Sequence, residues 1–572
     1  MQRRTPTGML LVTLAVLATS GSAAAQSTAD LVLRGGKVAT VDANFGFAAA
    51  IAVRGHQILA TGSNEEIAAY IGADTEVIEL RGRLAIPGFI EGHGHYLSLG
   101  RSKMILDLTT VTSWQQIIDM VEAAARLADP GDWIFGRGWH QEKWDSTPTP
   151  NVDGVPLHDG LSEVTPDNPV VLGHASGHGA FANEAAMMLA GIDRATADPD
   201  GGTIVRDATG RATGFMRERA QELVRRVSGA ADAERSEADR EAEFRRQVEL
   251  AGADALSKGV TSFHDAGIGF ASIDRFRTMA AAGELPVRLY VMVRGPSNEE
   301  MDRMLPQYRI IPDGNDFLAV RSIKRQIDGA LGSHGAWLLE NYVDIDNPGL
   351  LLESVEDIEG TAAVAAKHGF QLNTHAIGDR ANREVLDLYE RTFVASGASG
   401  ANLRWRIEHA QHIHPDDIPR FGSLGVIAAM QGVHCTSDAP WIPLRIGDRR
   451  SKTSTYVWRD LIDSGALVTN GSDVPVEDID PIASYYASVT RIMADGRAFY
   501  PEQSMTREEA LRSYTINNAY AAFEEHLKGS LEPGKLADIT VLSQDILEVP
   551  ADRIRATRVD LTIVGGEVRY RR

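Results

Sequence analysis

The segment Pro87-Gly88-Phe89-Ile90-Glu91-Gly92-His93-Gly94-His95 sets two imidazoles two residues apart at the end of an apolar run. Residues two apart on a strand point to the same face. His93 and His95 can therefore aim together and grip one cation, with Gly92 and Gly94 leaving room for the ion. The same residues also fit a solvated loop that holds two histidines. Further imidazoles and carboxylates, one to each, close other apolar runs: His375 in Asn373-Thr374-His375-Ala376-Ile377-Gly378-Asp379, His409 in Arg406-Ile407-Glu408-His409-Ala410, and Asp473 in Asn470-Gly471-Ser472-Asp473. Any one of them could be a satisfied core residue. Several at once are hard to explain as packing, because buried polar groups are costly unless paired or bound to metal.

Elements able to position these groups are legible along the chain. Eight runs read as strands: Leu84–His95, Val260–Asp265, Val287–Arg294, Val320–Asp328, Gln371–Ile377, Arg404–Ala410, Val426–His434 and Ala466–Asp473. Helical patterns such as Glu241–Lys258 and Val355–His368 precede several of them. Strand–helix alternation predicts a parallel sheet, and eight units predict an α/β fold of the (β/α)8 TIM-like barrel type. Its chemistry would sit at the C-terminal ends of the strands. About 165 residues separate the first two strands, so an insertion at about 110–225 is expected, placed to cover the barrel mouth. Alternating segments at both chain ends (31–41, 50–61, 76–86, 537–542 and 561–570) predict a small β-sandwich built from the two termini. The expected domains are 26–86 and 529–572 for the sandwich and 87–528 for the barrel.

With these motifs in view, the chain resembles the amidohydrolase superfamily, and within it the amidohydrolase-3 family that includes N-substituted formamide deformylases. The motifs run in family order: PGFIEGHGH (87–95), GRGWH (136–140), GVTSFHDAG (259–267), IKRQIDGALGS (323–333), HAIGDRAN (375–382), RIEHA (406–410), GSDVPV (471–476) and GSLEPGKLAD (529–538). The resemblance implies that His93 and His95 bind a first metal, that His375 and His409 bind a second, and that Asp473 touches the first and acts as acid/base. It implies that Lys324 is a carboxylated lysine bridging two metals, or an unmodified lysine that hydrogen-bonds in the site. Glu91 stands where many members have Asp. Arg325 and Gln326 are more polar than that strand should be.

The implied reaction is hydrolysis of a C–N bond (amide, N-acyl or N-formyl) by a metal-activated water. Asp473 would shuttle the proton to the leaving nitrogen. His434, at the end of the seventh strand, could donate to the developing oxyanion or serve only as a support. The cofactor expectation is one or two divalent metals, zinc first, with iron or manganese as alternatives. Trp139, His140, His178, Trp337 and Trp441 are candidate substrate contacts, the tryptophans alternatively packing the insertion onto the barrel. His178 is placed near the substrate by family position. His264 and Asp265 read as supports. An esterase or lactonase on the same site, or a non-catalytic binding protein, remains compatible with the motifs.

A net charge of -21 argues against nucleic acid and anionic membranes as partners. A small-molecule substrate is expected, with a homodimer possible. Arg3 and Arg4, the apolar run Met9–Thr19, and Ala23 and Ala25 read as an export signal spanning 1–25, for a periplasmic or secreted protein without stable membrane insertion after cleavage. The single cysteine, Cys435, excludes intrachain disulfides.

Overall fold

The computed structural model describes Gln2 and residues 28–572. The export segment expected at 1–25 lies, Gln2 aside, outside the described residues. Among them no helix is long and apolar enough to cross a membrane.

Eight strands form one sheet: β1 (Phe89–Gly94), β2 (Val260–Ile268), β3 (Arg288–Val293), β4 (Leu318–Gln326), β5 (Gln371–Ala376), β6 (Arg406–His409), β7 (Ile427–Gln431) and β8 (Val468–Gly471). They pair in chain order, and every pairing is parallel. Helices cover the outside, so nearly every strand residue is buried, as a sheet covered on both faces requires. This is the (β/α)8 barrel expected from the sequence.

The barrel closes where β1 meets β8. Asp473 N–H donates to His93 O at 2.7 Å, and His95 N–H to Val474 O at 2.8 Å. Lower down, the Asn518 amide donates to Ile90 O at 2.7 Å and Asn470 O at 2.9 Å, bridging the two edges. The Glu91 carboxyl accepts from Ser472 N–H at 2.6 Å and from its hydroxyl at 3.1 Å. That contact gives Glu91 its place despite its departure from the family's usual Asp. The glycines of the motif serve this seam. A Cβ on Gly92 would stand 2.4 Å from Asn470 O, and one on Gly94 would stand 2.6 Å from the Phe263 ring. Their expected role in making room for an ion is thereby corrected: they let the strands and neighbouring side chains approach.

The expected first strand, Leu84–His95, is two strands. Leu84–Pro87 pairs antiparallel with Ile539–Leu542 outside the barrel, and the chain enters β1 at Phe89. Between them a Cβ on Gly88 would meet the Thr261 side chain at 2.3 Å. The expected strand 31–41 also divides, at Gly35-Gly36, with Gly35 at φ +70°. Leu31–Arg34 joins a four-stranded sheet made wholly from the N-terminal segment, while Lys37–Ala39 joins a six-stranded sheet that includes Ile539–Leu542, Val559–Val564 and Glu567–Arg571. Leu33, Ile51 and Val53 of the first sheet pack with Val38, Val541 and Ile563 of the second.

Between β1 and β2 the chain builds a further six-stranded sheet from strands within 106–218, followed by the helices Glu222–Ala233 and Glu237–Ser257. Its core includes Trp139, Leu172, Phe181 and Phe215. Arg137 donates to Pro475 O beyond β8 and to Ala175 O, and Arg219 donates to Leu352 O beyond β4. The inserted domain is thus tied to loops on two sides of the barrel mouth.

Candidate metal centre

The strand ends bring His93, His95, Lys324, His375, His409 and Asp473 to one place. His93 Nε2 and His95 Nε2 lie 3.6 Å and 3.3 Å from Asp473 Oδ1. Lys324 Nζ lies 3.3 Å from His93 Nε2. The His409 ring is 4.7 Å from that of His93 and 4.4 Å from that of His375, centroid to centroid. Two triads have ligand atoms within 4.8 Å of one another: His93, His95 and Asp473, and His409, His434 and Asp473. His375 stands beside the second triad, its Nε2 3.6 Å from Asp328 Oδ1.

Two of the candidate ligand imidazoles are fixed by partners on their far nitrogens. Glu408 takes the Nδ1 side of His93, and Arg406 bridges Glu408 to Gly92 O. A carboxylate accepts, so His93 Nδ1 carries the proton and Nε2 offers its lone pair inward. Gln431 Oε1 does the same for His409 Nδ1 at 2.8 Å. Burial opposes ionisation of Glu408, but Arg406 and His93 prevail and hold its carboxyl well below the usual range. Burial, then Lys324, lowers the His93 pKa to about 4. Burial, with neighbouring imidazoles and Lys324, holds His375 and His409 well below 6.5 as well. These imidazoles are neutral near pH 7, the form that binds metal. Burial likewise opposes ionisation of Asp473, yet His95, His93 and His409 keep its carboxyl well below the ordinary value.

The donor set fits a divalent cation. His375 Nε2, His434 Nε2 and Asp473 Oδ1 are buried without a hydrogen-bond partner in the protein. Unpartnered buried polar atoms clustered at one point are expensive unless something binds them. Backbone strain collects at the same place, with His409, Ala410 and Asp473 at φ +74°, +45° and +56°. In a regular strand Glu408 and His409 would face opposite ways. The turn at His409 brings both into the site.

The polar run in β4 resolves without a change of register. Lys324 points inward, where burial first and Arg294 among its neighbours lower its pKa to about 8. Arg325 reaches Glu353 at 2.7 Å and Asp357, and Gln326 accepts from Arg294 at 2.5 Å. His434 does not end a strand. β7 stops at Gln431, and His434 lies in the helix Gly432–Asp438. That helix packs against Pro481–Thr490, so closely that a Cβ on Gly432 would meet Ser484 O at 2.6 Å.

The aromatic candidates divide. Trp139 has no exposed surface, donates its indole N–H to Leu172 O at 2.9 Å and stacks on Trp144. It is a core residue of the inserted domain, and the expectation of substrate contact is corrected on that ground. The His140 ring lies 4.5 Å from that of His174, tilted by 46°, and burial lowers its pKa to about 4. Trp337 is half-buried under the Arg380 guanidinium, and its backbone N–H donates to Asp328 Oδ2 at 2.8 Å. Trp441 is half-buried beside Gly332. His178 comes nearest the centre, its ring 5.9 Å from that of His375. His264 lies against Arg406, its Nδ1 at 3.2 Å, and Asp265 accepts from Gly267 N–H at 3.1 Å.

Arg406, Glu408, Gln431, Asp328 and Glu218, the last paired with His178 Nδ1 at 2.8 Å, are not among the candidates that the motifs mark. Arg406 and Glu408 carry a usable signal, since two charges two residues apart in an apolar strand share a face. Asp328 ties the loops together by accepting from Ile377, Gly378 and Trp337 N–H groups at 2.8–2.9 Å.

The amidohydrolase family model matches residues 76–570. The protein LONG AFTER FAR-RED 3 of Arabidopsis thaliana is 34% identical, over 95% of this chain and 92% of its own. The N-substituted formamide deformylase of Arthrobacter pascens is 30% identical, over 95% of this chain and 98% of its own. The crystal structure of an uncharacterized metal-dependent hydrolase from Pyrococcus furiosus superposes with a TM-score of 0.69 at 26% identity, covering 91% of this chain and all of that one.

Proposed function

This chain belongs to the amidohydrolase family, a metal-dependent hydrolase of that superfamily, and on that footing we propose that it cleaves the C–N bond of an N-acyl or N-formyl amide. The observation that carries the reading is the convergence of neutral imidazoles on Asp473 at the barrel mouth. Similarity to a formamide deformylase over nearly the whole chain supports the bond type.

His93, His95 and Asp473 would hold one divalent cation, zinc by preference, with His375, His409 and Lys324 available for a second. Such a cation lowers the pKa of water from ~15.7 to about 7 and draws electron density from a carbonyl oxygen. Asp473 stays ionised across the neutral range, so it can take the proton of the attacking water and hand it to the leaving nitrogen. His434 offers its unpartnered Nε2 to the carbonyl oxygen as charge builds there. Arg406, Glu408 and Gln431 keep the ligand imidazoles in the correct tautomer. The inserted domain, held at Pro475 and Leu352, limits water access. Carboxylation of Lys324 is part of the proposal, supported by its burial and its place beside His93. Lys324→Ala should then lower the metal content, and added short carboxylates should partly restore activity. Export directed by residues 1–25 completes the reading, and cell fractionation tests it.

The decisive experiment pairs metal analysis of the purified protein with a panel of N-acyl and N-formyl amides and their matched esters. Amide hydrolysis that vanishes on chelation and returns with metal is expected. Hydrolysis of the esters alone would overturn the bond assignment, and full activity in metal-free protein would overturn the mechanism.

A further inference from the structure

A histidine–carboxylate pair in the inserted domain repeats a pattern found twice at the metal centre. His178 Nδ1 is 2.8 Å from Glu218 Oε2, with the two side chains 16% and 4% exposed. The carboxylate is held from the barrel side. The Ser333 hydroxyl, in the loop beyond β4, donates to Glu218 Oε1 at 2.9 Å. A Cβ on Gly329 or Gly335 would lie 2.8 Å or 2.6 Å from the same oxygen, so that loop leaves a seat shaped for a carboxylate. Both oxygens of Glu218 are thus engaged, one by Ser333 and one by His178, and the imidazole is fixed in direction.

A carboxylate accepts, so His178 Nδ1 carries the proton and Nε2 keeps its lone pair. Glu408 does this for His93, and Gln431 Oε1 for His409. Among the described residues, His178 Nε2 has no hydrogen-bond partner. The other histidines of the inserted domain differ. His158 is bonded through both ring nitrogens, to Ser162 and Arg211, and His174 through both, to Ser176 and Gln141. His140 accepts from Glu142 N–H through Nδ1, which leaves the proton on its other nitrogen. Only His178 combines a proton fixed at Nδ1 with an open Nε2. Its ring stands 5.9 Å from that of His375, the separation that also relates His93 to His95, the pair read as sharing the first cation. His375 Nε2 is itself buried without a partner.

We propose that His178 is a metal ligand, its Nε2 joining His375 and His409 on the second cation, with Glu218 as its positioning residue. A carboxylate behind a ligand imidazole fixes its tautomer and orientation and raises its basicity, as Glu408 does for His93. The consequence reaches beyond coordination. His375 and His409 belong to β5 and β6 of the barrel, whereas His178 belongs to the inserted domain. A cation shared by all three fastens the inserted domain across the barrel mouth, so loading the second cation and closing the site become one event. The seat for Glu218, formed by Ser333, Gly329 and Gly335, makes the same connection through protein groups alone.

The proposal rests on the metal centre of the amide-hydrolase reading and not on the bond cleaved there, so its test uses no substrate. Zinc is titrated into metal-free protein in competition with a chromophoric chelator. The wild type should take up two equivalents. In His178→Ala the second should weaken by about 10²-fold, the upper end of what even an orienting group is worth, with the first unchanged. Glu218→Gln keeps the shape of the side chain but not its charge and should weaken the same equivalent by about 10-fold. His174→Ala should leave both as in the wild type. Uptake of a single equivalent by the wild type, or an unchanged second equivalent in His178→Ala, overturns the proposal. Should His178→Ala fail to fold, the wild type decides alone. Anomalous diffraction at the zinc edge from zinc-loaded crystals should place an ion on His178 Nε2 at about 2.0–2.1 Å. An ion bonded to His375 and His409 without His178 overturns the ligand role. Two equivalents with a His178 bond but no turnover of any amide would overturn the proposed function and leave the ligand standing.

Discussion

Two groups of buried ionisable side chains occupy opposite ends of the same barrel. At the base, Arg288 meets Asp538 of the sandwich through two bonds of 2.8 Å and 3.0 Å, and the same carboxylate accepts from Gly565 N–H at 2.8 Å. Lys528 there donates to Ser262 at 2.9 Å and pairs with Glu524 at 2.8 Å. At the mouth, Asp473, His93, His375, His409 and His434 are about as deeply buried, yet polar atoms of His375, His434 and Asp473 converge there with no protein partner. Burial does not distinguish the two ends, and neither does charge. The direction of the free lone pairs does: at the base each charge is answered by the fold, and at the mouth the fold leaves a common point unanswered.

The contrast predicts opposite costs. Asp473→Asn should reduce kcat by about 10³–10⁴-fold, the scale of a lost proton shuttle, with the thermal transition nearly unmoved. Wild-type turnover by that variant would place the chemistry elsewhere. Arg288→Ala strands the Asp538 carboxylate at the base, and breaking a buried pair in this way costs about 3–5 kcal/mol. Denaturant titration should show that loss, with unchanged kcat/KM in the folded fraction. A catalytic defect matching that of Asp473→Asn would erase the distinction between the two ends.

An isolated buried imidazole refines the comparison. His412 bonds Thr455 through Nδ1 at 3.0 Å, and its Nε2 has no partner, but among the described residues it belongs to no group of side chains able to hold a metal ion. Burial, with Arg450 nearby, lowers its pKa to about 3. The unfolded chain takes up a proton as pH falls past ~6.5, and the folded chain does not. This residue's contribution is therefore whole above pH 6.5 and is lost as the pH falls toward 3, on the order of 2–4 kcal/mol in all. His412→Gln should flatten the acid limb of a stability–pH curve and leave metal content unchanged. Metal loss in that variant would mean that convergence is not what marks a ligand.

What the sequence made legible follows the same division. His93 and His95 were readable because spacing alone puts them on one face, and the eight strands were readable from their apolar runs. The partners that tune the site were not, because they meet across the barrel: Glu408 lies 315 residues from His93. Glu218 pairs with loop glycines 111–117 positions away, and no local pattern announces a seat made of absent side chains. His434 was misplaced because apolar residues run on past Gln431, and only close packing on Pro481–Thr490 turns the chain into a helix there. The splits at Gly35 and Gly88 were hidden for a similar reason, since each half alternates correctly for its own sheet.

The smallest expected effect lies at the seam, between the two ends. Glu91 is fully buried two residues before His93 on the same strand, and its neighbours are hydrogen-bond donors rather than cations. Burial raises its pKa to about 8, so near neutrality it is largely a neutral acid. Glu91→Gln keeps the volume, the neutrality and an acceptor oxygen for Ser472 N–H, so the change in stability should stay within about 1 kcal/mol, the net worth of one ordinary hydrogen bond. Glu91→Ala removes the acceptor altogether and leaves a buried N–H and hydroxyl unanswered, which costs roughly 1–3 kcal/mol for the N–H alone. The order Gln above Ala in melting temperature, with metal content near wild type in Glu91→Gln, is the expected outcome. A Gln variant as inactive as Asp473→Asn would instead make Glu91 an ionised participant and move the boundary of the functional site down into the seam.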